Sequence, residues 1–155
     1  KAFSLIELMV VIGIIAIITS ISLGSINIIQ KTSRDTQRQG DIRAIQSALQ
    51  QYYADENHFP DSMFLTGGAA LTNCTGLTGC TVVRTYMANT PKDPVSGTVD
   101  PYCYTSQRSA SNPDNCTLTP GLCHYYELCA RLENPGGNPS TCTCDAQNNF
   151  KVTPL

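Results

Sequence analysis

The sequence predicts an α+β protein, with one long N-terminal helix packed against a small antiparallel sheet in a disulfide-rich head. Three observations lead there. No charged residue stands between Glu7 and Lys31, and no proline precedes Pro60. All eight cysteines lie at or beyond residue 74. Past residue 60, short aromatic-bearing runs alternate with stretches rich in Gly, Pro, Asn and Thr. A chain of 155 residues is the size of one domain. It divides into residues 1–30, a hydrophobic helix suited to a membrane or a multi-subunit core, and residues 31–155, a globular head that includes the amphipathic half of the helix, about 31–55.

The first element is the apolar run. Residues 8–29 are dominated by Ile, Val, Leu and Met. At about 1.5 Å per residue that length is enough to cross a hydrocarbon core of roughly 30 Å, so a transmembrane helix is expected. A helix apolar on every side needs a membrane or a multi-subunit core around it. A secretory signal peptide has a basic start, a shorter apolar stretch and a cleavage site after it. Here the run is longer, has an acid near its start and flows into a helical pattern. A plain anchor leaves Glu7 without a role, although a carboxylate at the edge of a span is costly and normally has a partner.

The helix should continue to about Asp55. Ile42, Ile45, Leu49 and Tyr52 recur at steps of three and four and give one apolar stripe. Arg34, Asp35, Arg38, Asp41 and Arg43 are exposed-type positions, with Asp35 and Arg38 within helical pairing distance. Gly13 and Gly24 each weaken the helix by about 1 kcal/mol. Either the stretch between them melts locally, or Gly and the nearby serines let helices approach closely. His58-Phe59-Pro60-Asp61 ends the helix, because proline disfavours helix in the residue before it.

In the head, residues 102–106, 123–133 and 150–153 read as strands of a sheet with three or so members. Asn112-Pro113-Asp114-Asn115 and Asn134-Pro135-Gly136-Gly137-Asn138-Pro139 read as turns. Cys74, Cys80, Cys103, Cys116, Cys123, Cys129, Cys142 and Cys144 read as a disulfide framework in an oxidising compartment. A zinc site would want Cys-x-x-Cys or Cys/His spacing, which is missing. Spacing cannot choose the connectivity, though Cys74–Cys80 and Cys116–Cys123 would close local loops. Asn73-Cys74-Thr75 and Asn115-Cys116-Thr117 match Asn-x-Thr glycosylation acceptors, a pattern that also arises by chance in such a composition.

Lys1-Ala2-Phe3-Ser4-Leu5-Ile6-Glu7-Leu8-Met9-Val10-Val11 resembles the N-terminal signal of type IV pilins and the related pseudopilins. The resemblance covers about the first third of the chain. It implies that a dedicated peptidase cuts between Ala2 and Phe3, with Ala2 standing where glycine is usual. Phe3 then becomes an N-methylated mature N-terminus, and Glu7 is the family's glutamate four residues on. On this reading the fold is type IV pilin-like. The protein is the major structural subunit of a pilus (a fimbrium) for adhesion, motility or DNA uptake. Its partners are copies of itself in a helical filament, the membrane before assembly, a prepilin peptidase, the pilus assembly machinery, and surface or DNA ligands. The filament is extracellular, and the precursor belongs to the inner or cytoplasmic membrane.

Glu7 also has a plain physical logic. An incoming subunit brings a positive α-amino group into an apolar core, where it is costly unpaired. A carboxylate on a neighbouring helix can pair with it and set the register. The alternative is that Glu7 caps the first helical turn. Pro91-Lys92-Asp93-Pro94, then Gly97 and a tyrosine-bearing strand, resembles a segment of major pseudopilins and short pilins whose following loop can bind calcium. That makes Asp93 and Asp100 calcium candidates. Hard cations want several such oxygens, and two carboxylates in a turn-rich loop are more simply solvated.

The net charge of −2 and the lack of a basic cluster argue against a phosphate-binding face. No nucleophile elbow, phosphate-binding glycine loop or zinc-protease motif occurs, and His58 and His124 lie far apart in sequence. The sequence therefore predicts no enzyme and no cofactor. Two other readings stand beside the pilin: a pseudopilin of a type II secretion or competence system, and a membrane-tethered, disulfide-rich binding or enzymatic domain.

Overall fold

A computed structural model describes residues 3–22, 26–63, 65, 67–75, 79–95, 102–110, 112–116, 123–136, 140–142 and 148–154. Two helices come first, α1 (Leu5–Ser22) and α2 (Ile26–Glu56). Six strands follow: β1 (Leu71–Thr72), β2 (Thr85–Met87), β3 (Tyr102–Ser109), β4 (Asn112–Asn115), β5 (Tyr125–Ala130) and β6 (Phe150–Val152). β1 and β2 form a two-stranded antiparallel sheet, and the other four pair antiparallel in the order β4-β3-β5-β6. This is the expected α+β arrangement of a long N-terminal helical region against small antiparallel sheets, with three disulfides among the described residues.

Burial explains why α2 lies on the sheets. Ile42, Ile45, Leu49 and Tyr52 are all within 1% of complete burial. They meet Tyr102, Tyr126 and Leu128 of the sheet, together with Phe59 and Leu71. Burying each such side chain stabilises the fold by about 1.5–3 kcal/mol before chain entropy is charged against it. Gln46 Nε2 donates to the Thr153 carbonyl (3.1 Å), and Tyr102 OH donates to Asp41 (2.7 Å), so polar groups beside the stripe also tie helix to sheet.

α2 ends at Glu56, not because of Pro60 but because Asn57 turns left-handed (φ 59°). Its N–H closes on the Tyr53 carbonyl at 2.8 Å, as an αL cap does. Two residues on, the N–H of Phe59 donates to the Cys123 carbonyl (2.7 Å) and starts the crossing to the sheet.

Three further expectations are corrected. The first concerns the transmembrane helix: among the described residues, no helix is long and apolar enough to cross a membrane. α1 has 18 residues, about 27 Å at helical rise, against a hydrocarbon core of roughly 30 Å. It carries Glu7 in its first turn, and α2 reaches Lys31 and Arg34 after little more than one apolar turn. The second concerns Asp35 and Arg38, expected on the exposed face; each is only 4% exposed. The third is the turn expected at Asn112–Asn115, which is a strand. It lies at the edge of its sheet, where Pro113 can omit its N–H from the ladder without cost to an inner strand, and its pairing with β3 is irregular.

The strand expected over 123–133 is shorter, and its flanks do other work. The Asn149 side chain accepts from Leu132 N–H (2.8 Å) and donates to the Leu132 carbonyl (2.9 Å), replacing ladder partners just past β5. Gly13 lies inside α1 with the helix unbroken around it, and Gly24 is outside the described residues.

Candidate functional site

Ser4-Leu5-Ile6-Glu7 has the spacing of a capping box, and the helix starts on it. The Ser4 N–H donates to Glu7 Oε2 at 2.9 Å, while Ser4's carbonyl accepts from the N–H of Glu7 (3.1 Å) and of Leu8 (3.3 Å). Within one chain the Glu7 carboxylate is thus held over the first turn of α1. Glu7 is also the only ionisable residue in α1.

Every described side chain from residue 3 to residue 20 is exposed. Phe3 stands at 85%, and the large Ile, Leu, Val and Met side chains around the helix range from 48% to 76%. Phe3, Ile6, Val10 and Val11 line a shallow cleft together with Glu7. The polar residues near the far end of α1 turn back on their own helix. Thr19 Oγ1 donates to the Ile15 carbonyl (2.8 Å), and Ser20 Oγ to that of Ile17 (2.8 Å). Such hydroxyls carry their hydrogen-bond partners with them into an apolar surround. A Cβ built on Gly13 would meet nothing within 4 Å. The surface is therefore a complete apolar cylinder with one carboxylate at its start, and the head does not cover it.

A second constellation lies where α2 enters the head. Arg38 Nε donates to Asp93 Oδ2 at 2.5 Å and Nη2 to Asp93 Oδ1 at 3.2 Å. Its Nη1 reaches Asp35 Oδ1 (2.9 Å) and Glu133 Oε1 (3.1 Å). Arg34 grips Glu133 with two further bonds of 2.6 Å. Asp35 in turn accepts the N–H groups of Glu133 (2.9 Å) and Asn134 (2.8 Å). Burial pulls the Arg38 guanidinium toward deprotonation, but the hydrogen bonds and charge of Asp93, with Asp35 and Glu133, outweigh it and raise its pKa. Hydrogen bonds from Arg34, and then Arg38, hold Glu133 down at about 2.

The remaining sequence candidates fall as follows. Ala2, on one side of the expected cut, lies outside the described residues, as do Asp100 and Cys144. Asp93 is held inside the head by its own partners. Both its oxygens are taken by Arg38, and Oδ1 also accepts Val95 N–H at 2.7 Å. Disulfides join Cys74 to Cys80, Cys116 to Cys123 and Cys129 to Cys142, Cys103 is also disulfide-bonded, and no described cysteine is free. Asp61 lies close to Cys116 and Cys123, but those sulfurs are bonded to each other and offer no thiolate to a metal. Asn73 uses its side chain inside the loop: Oδ1 accepts from the N–H of Val83 (3.0 Å) and Arg84 (3.2 Å), and Nδ2 reaches the Thr81 carbonyl (3.4 Å). Asn115 ends β4, and Thr117 of its acceptor triplet lies outside the described residues. The two histidines come onto neighbouring segments through the Phe59–Cys123 bond, and each meets a tyrosine ring, His58 that of Tyr52 and His124 that of Tyr53.

The Asp35–Arg38–Asp93–Glu133 cluster was missed from the sequence, yet a signal for its helical half was present. Asp35, Arg38, Ile42, Ile45, Leu49 and Tyr52 follow one another at steps of three and four, so the two charged residues continue the buried stripe.

Fold and surface together define a class: a helical stem with a bare apolar end, carrying a disulfide-stapled α+β head. Residues 1–23 match the prokaryotic N-terminal methylation motif, which is characteristic of type IV pilin and pseudopilin precursors. Motif and fold support membership of the type IV pilin and pseudopilin superfamily. No curated protein and no solved structure matches the chain. The disulfide-stabilised fold is consistent with a non-catalytic, structural protein.

Proposed function

We propose that this chain is the major structural subunit of a type IV pilus, built into its filament through α1. The observation that carries the reading is the apolar circumference of α1, exposed on all sides in the single chain. A surface of that size costs about 25 cal/mol for each Å² left in water, and copies of the same helix can cover it from every direction. Residues 1–30 serve as the filament core, and residues 31–155 form the outer head, with 31–55 as the helix beneath it. A prepilin peptidase cuts between Ala2 and Phe3, and the pilus machinery moves the subunit from the membrane-associated precursor into the growing extracellular filament. Glu7 pairs with the α-amino group of Phe3 on a neighbouring subunit. Burying either charge alone is expensive, and pairing them selects one axial register. The head then faces outward for adhesion, motility or DNA uptake.

The test is Glu7→Ala. Filament yield in sheared material should fall at least tenfold while the amount of precursor stays at the wild-type level. Unchanged yield would remove the register role of Glu7. A wild-type protein found only with membranes, with no filament, would point to a pseudopilin.

A further inference from the structure

Three carboxylates converge where α2 meets the head, and each comes from a different part of the chain. Asp35 is on the helix, Asp93 is in the loop after β2, and Glu133 follows β5. Gathering carboxylates from separate segments around one point is what a bound divalent cation does with oxygen ligands. Here the point is already taken. The guanidinium of Arg38 reaches all three at 2.5–3.1 Å, with its side chain only 5% exposed. Arg34 and the N–H groups of Glu133, Asn134 and Val95 supply the rest of the compensation. Asp93, the residue that the sequence offered to calcium, has both its oxygens on Arg38.

We infer that the Asp35–Asp93–Glu133 pocket is a cation site whose cation is the Arg38 side chain, so the junction of helix and head holds without a divalent ion. A guanidinium suits this role because its planar fork satisfies several oxygens at fixed geometry and keeps its charge at any physiological pH. Being covalently part of α2, it cannot be removed by a chelator or diluted away. The arrangement therefore locks the loop after β2 and the turn after β5 to one position on the helix. It does not depend on the filament reading and can be tested on unassembled chain.

The experiment is thermal unfolding of the full chain in mild detergent, with a chelator or with millimolar calcium chloride. The wild-type midpoint should be the same, to about 1 °C, under both conditions. Arg38→Ala removes the cation that all three carboxylates share and leaves buried Asp35 and Asp93 with only their backbone N–H partners, so its midpoint in chelator should drop by roughly 10 °C or more. Calcium should then recover a good part of that drop, since the emptied pocket presents three carboxylates to the ion. Should Arg38→Ala fail to fold, Arg38→Gln, which keeps more of the side-chain volume, carries the same comparison. A wild-type midpoint lowered by the chelator would overturn the inference, and so would an arginine variant whose midpoint calcium leaves unmoved.

Discussion

α1 and α2 occur in succession in one apolar-to-amphipathic stretch, yet they relate to the rest of the chain in opposite ways. α2 finds its partners at home. Its stripe from Asp35 to Tyr52 is buried against the sheets, and even its charges are matched there. α1 finds almost none: its side chains are apolar around the whole circumference and exposed throughout the described part. A helix whose hydrophobic residues keep to one stripe can be completed by a domain of its own chain. A helix without a polar face can be completed only by other molecules. The difference separates what stabilises the subunit from what assembles it, and substitutions in the two helices should show up in different measurements.

The largest expected effect is at Leu49, which is fully buried between α2 and the sheet. Leu49→Ala should cost about 2–5 kcal/mol of head stability, measured by chemical unfolding of the full chain in mild detergent. Ile14→Ala in α1 should leave that unfolding curve in place and lower filament yield instead. If Ile14→Ala destabilised the head as much as Leu49→Ala, the division between the helices would fail.

Acid sharpens the same boundary. Glu133 faces Arg34 and Arg38 as well as Asp35, and its folded pKa of about 2 lies below the ordinary 4.5. A depressed carboxylate adds stability that is fully present above the unfolded value and is lost as the pH falls through the folded one. The wild-type head should therefore lose stability between about pH 4.5 and about pH 2. Glu133→Gln should flatten that part of the profile, as read from unfolding midpoints against pH.

Asp61 works in the opposite sense. Burial raises its pKa above the ordinary 3.8, with His58 pulling the other way. A raised carboxylate contributes stability at pH below the unfolded value, and this is lost as the pH climbs through the folded one. Asp61→Asn, which keeps the backbone carbonyl that accepts from Ser106 Oγ (2.6 Å), should raise the melting midpoint at pH 7 by a few degrees and change little at pH 3. The smallest effect belongs to the exposed Arg84–Asp55 pair at the far end of α2. Arg84→Ala should leave the midpoint within experimental error, because exposed ion pairs are screened and lose side-chain entropy on forming.

The sequence made the fold legible wherever hydrophobic pattern alone decided it. The buried stripe of Ile42, Ile45, Leu49 and Tyr52 can be read from its spacing, and the three main-sheet strands expected from aromatic and apolar runs lie where the structure has β3, β5 and β6. The two short cysteine loops, Cys74–Cys80 and Cys116–Cys123, follow from proximity in the chain. Cys129–Cys142 does not, because its closure depends on how β5 and the segment after it are placed in space. The ion cluster was missed for a related reason. Charge at Asp35 and Arg38 reads as solvent-facing until Asp93 and Glu133, more than fifty and ninety residues away in sequence, are known to cover them. The transmembrane helix was read from apolar composition alone, and among the described residues no helix is long and apolar enough to cross a membrane.

The most direct test of the assembly account is electron microscopy of material sheared from cells expressing this protein, with mass spectrometry of the filament subunits. The account predicts long filaments built from this chain, with Phe3 as the first residue and a methyl group on its amine. Sheared material without such filaments, and a protein recovered only as single subunits, would contradict it.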